Sequence, residues 1–233
     1  MVLWSGMLQK TIIDFFFPIY CIGCGKEGNF FCQDCSPKLQ RIGSPFCQKC
    51  GRPESTGSLC PTCWGWDTKI DGIRSPFRFD GIISQAIYQF KYHNLRAIAG
   101  HMAELLHNYL LINPIPGDVL ISVPLHPKRL RQRGYNQSDL MARKLSKLVG
   151  LPVIDHCLVR QKDNPPQTKT KNVDERRRNV LDAFISSDQS LSGKRVILID
   201  DVCTSGATLE ACAAALKTVG VSSVWGLKLA RET

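Results

Sequence analysis

The stretch VILIDDVCTSGATLEACAAAL, Val196–Leu216, decides the architecture of this chain. Four apolar residues, Val196–Ile199, run straight into two adjacent aspartates, Asp200 and Asp201. A short apolar run bounded by charge reads as a buried strand, Arg195–Asp200, on which the aspartates fall where the strand runs out. The Thr204-Ser205-Gly206 turn follows, and apolar residues at helical spacing then predict a helix over Leu209–Val219, closed by Gly220. A helix N-terminus offers free N–H groups and a dipole that favours an anion. Thr204, Ser205 and Thr208 add hydroxyl donors, and Gly206 permits close backbone approach. The loop therefore suits a monoester phosphate, and the two carboxylates suit the vicinal hydroxyls of a sugar. A ribose 5-phosphate satisfies both halves. A simple helix cap needs one of these residues, not all of them.

Working outward, strands and helices alternate. Ile82–Leu111 carries apolar residues at helical spacing and reads as two helices broken near Tyr92-His93-Asn94. Val119–Val123 is a short buried strand. Asp139–Val149 is an amphipathic helix with Leu140, Met141, Leu145 and Leu148 on one face, ending at Gly150. Pro152–Val159 and Ser223–Leu229 read as further strands, and Asn164–Asn179 as a long polar, basic loop. This alternation implies an α/β fold with a mainly parallel sheet flanked by helices. In such sheets ligands sit at the carboxyl ends of the strands.

The chain has 233 residues, 43% hydrophobic and 21% charged, which allows one good-sized domain and a small one. The expected boundary places a cysteine-rich domain at 1–66 and the α/β domain at 67–233. A net charge of +10 favours anionic partners such as phosphates or nucleic acid. The most apolar early run, Ile12–Tyr20, contains Asp14 and Pro18 and falls far short of a membrane span of about 20 residues. It also lacks the pattern of a signal peptide, so the cytoplasm is the expected location.

Eight of the 11 cysteines precede residue 64, as four CxxC pairs: Cys21/Cys24, Cys32/Cys35, Cys47/Cys50 and Cys60/Cys63. A CxxC turn aims two thiolates at one point, and two such turns complete a tetrahedral zinc site. Two structural zinc ions are expected, with no open position for catalysis. Disulfides would need an oxidising compartment, to which nothing here points. Neighbouring pairs would give tandem ribbons and alternate pairs a cross-brace; the shorter loops of the tandem arrangement cost less to close. Few apolar residues recur between positions 20 and 65, so this segment depends on its metal to fold. Of the remaining cysteines, Cys212 lies on an apolar helix face and is a core residue, while Cys203, in the loop of the acidic motif, is expected to reach solvent.

The acidic motif resembles the phosphoribosyl-pyrophosphate (PRPP) signature of type I phosphoribosyltransferases. Together with DVLISVPLHPKRLRQRGYNQSDLMARKL (118–145), QFKYH (89–93), RRRNVLDAF (176–184) and FFFPIYCIGCG (15–25), it makes the chain similar to the ComF family. That resemblance implies a type I phosphoribosyltransferase fold preceded by a double zinc ribbon, and a role in natural competence and use of external DNA. It implies PRPP binding, with transfer to an acceptor less firmly attached, and single-stranded DNA and other competence proteins as partners. By position, Asp200 and Asp201 would meet the ribose hydroxyls, directly or through Mg2+. Cys203, Thr204, Ser205, Gly206, Ala207 and Thr208 would wrap the 5-phosphate. The loop with Arg129, Arg133 and Gly134 would face the pyrophosphate, and Lys91 the base or pyrophosphate. Gln167 and Arg176–Arg178 would belong to a flexible lid. Tyr135 is a stacking partner or a core residue. Trp64 and Trp66 stack on bases or pack the domains together.

Overall fold

A computed structural model describes residues 18–65, 67–161 and 183–232. The chain divides into two compact units, 1–39 and 40–233. The smaller holds the first two CxxC pairs and, among its described residues, a 3-10 turn, Ser36–Lys38. The larger holds the other two pairs and the α/β sheet.

Among its described residues, the strands and α-helices of the larger unit are β1 (Gly72–Arg74), β2 (Phe77–Arg78), α1 (Gly81–Tyr92), α2 (Ala99–Ile112), β3 (Val119–Ser122), α3 (Pro127–Arg133), α4 (Gln137–Val149), β4 (Val159–Arg160), β5 (Phe184–Ile185), β6 (Arg195–Cys203), α5 (Ala207–Lys217) and β7 (Ser223–Arg231). The sheet runs β1-β7-β6-β3, with β2 also on β7, and every pairing in it is parallel. β4 and β5 form a separate antiparallel pair.

The central strands are apolar because both faces are covered. Val196, Ile197, Leu198 and Ile199 of β6 are all buried, as are Leu120 of β3 and Leu227 and Leu229 of β7. Three of the close approaches around the sheet depend on missing side chains. A Cβ on Gly226 would lie 2.3 Å from Leu209, one on Gly72 2.3 Å from the Trp225 ring, and one on Gly117 2.5 Å from Ile197. The first of these seats α5 on β7.

α1 ends where Asn94 takes a left-handed backbone (φ 55°), the break expected near 92–94. α4 buries Met141 and Leu145 as expected, and Ala142 beside them, but Leu140 is only half-buried and Leu148 is exposed because the face turns outward in the last turn. The segment read as a strand over Pro152–Val159 does not form one. It touches β3 only through a Leu120–Val153 bridge, since Pro152 has no N–H to donate, and strand β4 starts only at Val159. Strands β1 and β2, too short to show periodicity, were not legible in the sequence. The Asn164–Asn179 loop, Gln167, Arg176–Arg178, Trp66 and most of Ile12–Tyr20 lie outside the described residues.

The second cysteine cluster is bonded to the sheet. Ile73 N–H donates to Lys49 O at 2.7 Å, Arg74 Nη1 to Gln48 O at 2.9 Å, and the buried Arg231 guanidinium to Cys50 O. Gly51 sits so close that a Cβ there would lie 2.5 Å from Ile73 O. Trp64 is 83% exposed. No helix among the described residues is long and apolar enough to cross a membrane.

Candidate functional site

The cysteines form two clusters, Cys21/Cys24/Cys32/Cys35 and Cys47/Cys50/Cys60/Cys63, in each of which all Sγ atoms lie within 4.8 Å of one another. This is the tandem arrangement. Cys24 and Cys32 Sγ are 3.7 Å apart, and Cys50 and Cys60 Sγ 3.8 Å. A tetrahedral ion with Zn–S near 2.3 Å sets its sulfurs about 3.8 Å apart, whereas a disulfide needs about 2.05 Å. The thiolates therefore fit zinc. The turns aim backbone N–H groups at the sulfurs. Burial pushes the Cys47 thiol up, but N–H groups of Cys50, Cys60 and Lys49 outweigh it and bring the group down to about 7. Cys60 N–H lies 3.3 Å from Cys47 Sγ. Seven of the eight cysteines are buried, and Cys24 is exposed.

The second centre is built at the carboxyl end of β6. The strand does not stop at the aspartates; it runs on to Cys203, because Val202 and Cys203 still pair with Ala230 and Arg231 of β7. Successive strand residues leave on opposite faces, and the aspartates accordingly find different partners. Asp200 lies in register with Lys228 of β7, whose Nζ is 2.8 Å from Oδ2. Asp201 Oδ1 is 2.8 Å from Lys91 Nζ, at the end of α1. The first turn of α4 ties the two together. Ser138 Oγ donates to Asp200 Oδ1 at 2.9 Å and Gln137 Nε2 to Asp201 Oδ2 at 2.8 Å. Arg133, at the end of α3, donates in turn to Gln137 Oε1.

Lys228 is 3% exposed and also donates to Val202 O at 2.7 Å. Burial pushes the Asp200 carboxyl up, but the Lys228 ammonium beside it prevails and holds it below the usual carboxylate range. Burial lowers Lys228 in the same way, and Asp200 more than restores it. Lys228, Ser138 and Gln137 escaped the sequence reading. The available signal was a lysine inside an apolar strand, since a buried ammonium requires a paired anion.

After β6, Thr204 and Ser205 are half-buried and Gly206 takes the left-handed conformation (φ 79°) as the N-cap of α5. Ser205 Oγ accepts from Ala207 N–H at 3.4 Å. Thr208 is half-buried in the first turn. Cys203 is not solvent-accessible as expected. It is fully buried, because the strand continues through it, and its carbonyl accepts from Glu232 N–H. Its side chain and that of Ala207 belong to the core, so these two residues offer the loop only backbone.

The segment after β3 is a helix, α3, rather than a loop, ended by Gly134 in the left-handed conformation (φ 76°). Arg129 and Arg133 line a cavity of about 460 Å3 with Lys91, Tyr92, Asn94, Gln132 and Tyr135. Gly134 is the stop of the helix. Tyr135 is a core residue: its hydroxyl donates to Phe90 O and its ring lies under the Arg96 guanidinium, 4.5 Å away. Asp200, Asp201, Lys91, Arg129 and Arg133 are thus brought together at the carboxyl end of the sheet.

Residues 12–64 match the Double zinc ribbon domain family and residues 131–225 the Phosphoribosyl transferase domain family. The chain is 30% identical over 203 residues to Competence protein ComFC of Bacillus subtilis, covering 82% of this chain and 81% of that protein. It is 28% identical over 207 residues to DNA utilization protein YhgH of Escherichia coli O157:H7, covering 83% of this chain and 86% of that one. Among solved structures, the B. subtilis glutamine phosphoribosylpyrophosphate amidotransferase complexed with ADP and GMP aligns with a TM-score of 0.39 at 17% identity. That alignment covers 57% of this chain and about a quarter of the amidotransferase. The tandem thiolate clusters and the parallel sheet bearing the acidic strand stand with these relatives: the chain belongs to the ComF family of competence proteins, in which a double zinc ribbon precedes a phosphoribosyltransferase domain.

Proposed function

We propose that this protein serves DNA uptake by binding PRPP at the carboxyl edge of its sheet. One observation carries the reading: β6 presents a carboxylate pair and leads directly into a hydroxyl-rich loop at the start of α5, with a cationic cavity reached through Lys91. Ribose hydroxyls would donate to Asp200 and Asp201. The 5-phosphate would take N–H groups at the start of α5 and the hydroxyls of Thr204, Ser205 and Thr208. The diphosphate would meet Arg129, Arg133 and Lys91. The same geometry suits phosphoribosyl transfer. As the bond from the anomeric carbon to the diphosphate oxygen breaks, its electron pair leaves on the diphosphate, where fixed guanidinium groups stabilise it. An acceptor then bonds the opposite face with inversion. The thiolate clusters suit the reducing cytoplasm, which we propose as the location.

The test is calorimetric titration of zinc-loaded protein with PRPP, wild type against Asp201→Asn. Losing a charged acceptor is expected to weaken binding about 10–150-fold. Unchanged affinity refutes the assignment. Asp201 is the better target, because removing Asp200 strands a buried ammonium and confounds site with fold.

A second reading, contact with single-stranded DNA, is favoured by an aromatic ladder on α1. Tyr88 and Tyr92 are 56% and 65% exposed, with ring centroids 5.0 Å apart. His93 lies 5.3 Å from Tyr88, and the Arg133 guanidinium 5.6 Å from Tyr92. Stacking rings beside arginines are what a base-splayed single strand uses.

A further inference from the structure

The acidic pair already holds its own cations. Asp200 Oδ2 faces Lys228 Nζ at 2.8 Å, while Oδ1 accepts from Ser138 Oγ and from Asp201 N–H, both at 2.9 Å. Asp201 Oδ1 faces Lys91 Nζ and Oδ2 accepts from Gln137, both at 2.8 Å. Two carboxylates and two ammonium groups sum to zero charge. A Mg2+ ion demands near-octahedral oxygen ligands at about 2.0–2.1 Å. Placed on this pair, it would sit among two ammonium groups in a partly buried site and leave it with two uncompensated positive charges. The residues present do not fit it.

The two lysines differ. The Lys91 side chain is 21% exposed and can swing to water. Lys228 cannot: it is buried in the sheet and anchored a second time on Val202 O. Each carboxylate oxygen has two lone pairs. On the contacts above, Asp200 Oδ2 and both Asp201 oxygens each keep one acceptor direction open. Those suit hydroxyl donors.

Resting on the PRPP reading, we infer that Lys228 is a built-in monovalent substitute for a divalent cation at Asp200, so that the acidic pair receives ribose hydroxyls directly and independently of metal. Lys228 is a positioning residue. It holds Asp200 ionised and oriented while touching no substrate atom itself. Any divalent cation accompanying a diphosphate would then be carried by the ligand's own phosphate oxygens.

The experiment uses the full zinc-loaded chain in two arms. In the first, Mg2+ alone is added in thermal unfolding, and Mn2+ alone in paramagnetic resonance. The wild type is expected to show no shift and no bound Mn2+. Lys228→Met, which leaves Asp200 without its cation, is expected to gain both. Wild-type binding of Mn2+ that Asp201→Asn abolishes overturns the inference. Should Lys228→Met fail to fold, Lys228→Gln and the wild-type measurement carry the test. In the second arm, ribose 5-phosphate, which has no chelating diphosphate, is titrated with and without Mg2+. Affinities equal within about twofold support the inference, and a tenfold gain with Mg2+ overturns it. Absence of binding under both conditions overturns the PRPP reading, and the direct hydroxyl contact with it; the metal-only arm still decides the role of Lys228.

Discussion

Gly226 of β7 is the seat of α5, and so of the loop that opens it. A Cβ at Gly226 would stand 2.3 Å from Leu209 Cδ1 and 3.4 Å from Cγ and Cδ2. In Gly226→Ala the Leu209 side chain must retreat by about 1 Å or more to reach ordinary carbon contact near 3.5–4.0 Å. It has little room, being fully buried in the first turn of α5. Overpacking of this kind costs about 1–3 kcal/mol. For a unit of this size that lowers Tm by roughly 2–12 °C. Leu209→Ala alone opens a cavity and costs about 2–5 kcal/mol. With Leu209 truncated, the new methyl has somewhere to go. Gly226→Ala in the Leu209→Ala background is therefore expected to cost less than about 0.5 kcal/mol, giving a favourable coupling of about 0.5–3 kcal/mol. Urea unfolding of the four proteins measures the cycle, with equal m-values as the check on two-state behaviour. Gly226→Ala should also weaken inorganic phosphate binding, since α5 carries the N–H groups assigned to it. Strict additivity of the two substitutions would refute the claim that this contact seats the helix.

Elemental analysis is expected to find two zinc ions per chain, with Cys24→Ser and Cys50→Ser each retaining one; a single ion in the wild type contradicts the two-cluster arrangement. Asp118 clamps the start of β6, its oxygens 2.6–3.2 Å from Arg195 nitrogens, and the hydrogen bonds from Arg195 hold its carboxyl at about 2. Because that value lies below the unfolded one near 3.9, the clamp contributes fully above about pH 4 and is lost as pH falls towards 2. Asp118→Asn should flatten the acid limb of stability over that window, and an unchanged limb removes the clamp from the account. Asp200→Asn should destabilise the fold by about 3–5 kcal/mol by stranding Lys228, with Lys228→Met restoring part of it in the double variant; additive losses would contradict the pairing. Tyr88→Ala with Tyr92→Ala should weaken single-strand binding by about 1–3 kcal/mol per stacked base while leaving its salt dependence unchanged; equal affinities exclude the ladder.

The sequence by itself determined what local spacing carries. The β6–loop–α5 motif, the thiolate pairs and the main helices each lie within a short window, where periodicity, CxxC geometry and a glycine stop decide the outcome. The edges were less legible. α3 follows from Pro127 and Gly134 yet read as a loop because it is only two turns long. What only the tertiary structure decided was which distant groups meet. Lys228 faces Asp200 because β6 and β7 pair in one parallel register, and a slip of one residue would turn it to the other face. Gln137 and Ser138 reach the aspartates because α4 begins over the end of β6. The CxxC turns pair with their neighbours, and the second cluster is bonded to the sheet through Ile73, Arg74 and Arg231. Ion pairs and backbone hydrogen bonds act over about 3 Å, so a lysine or a carbonyl far along the chain acquires its partner only when the sheet sets them side by side.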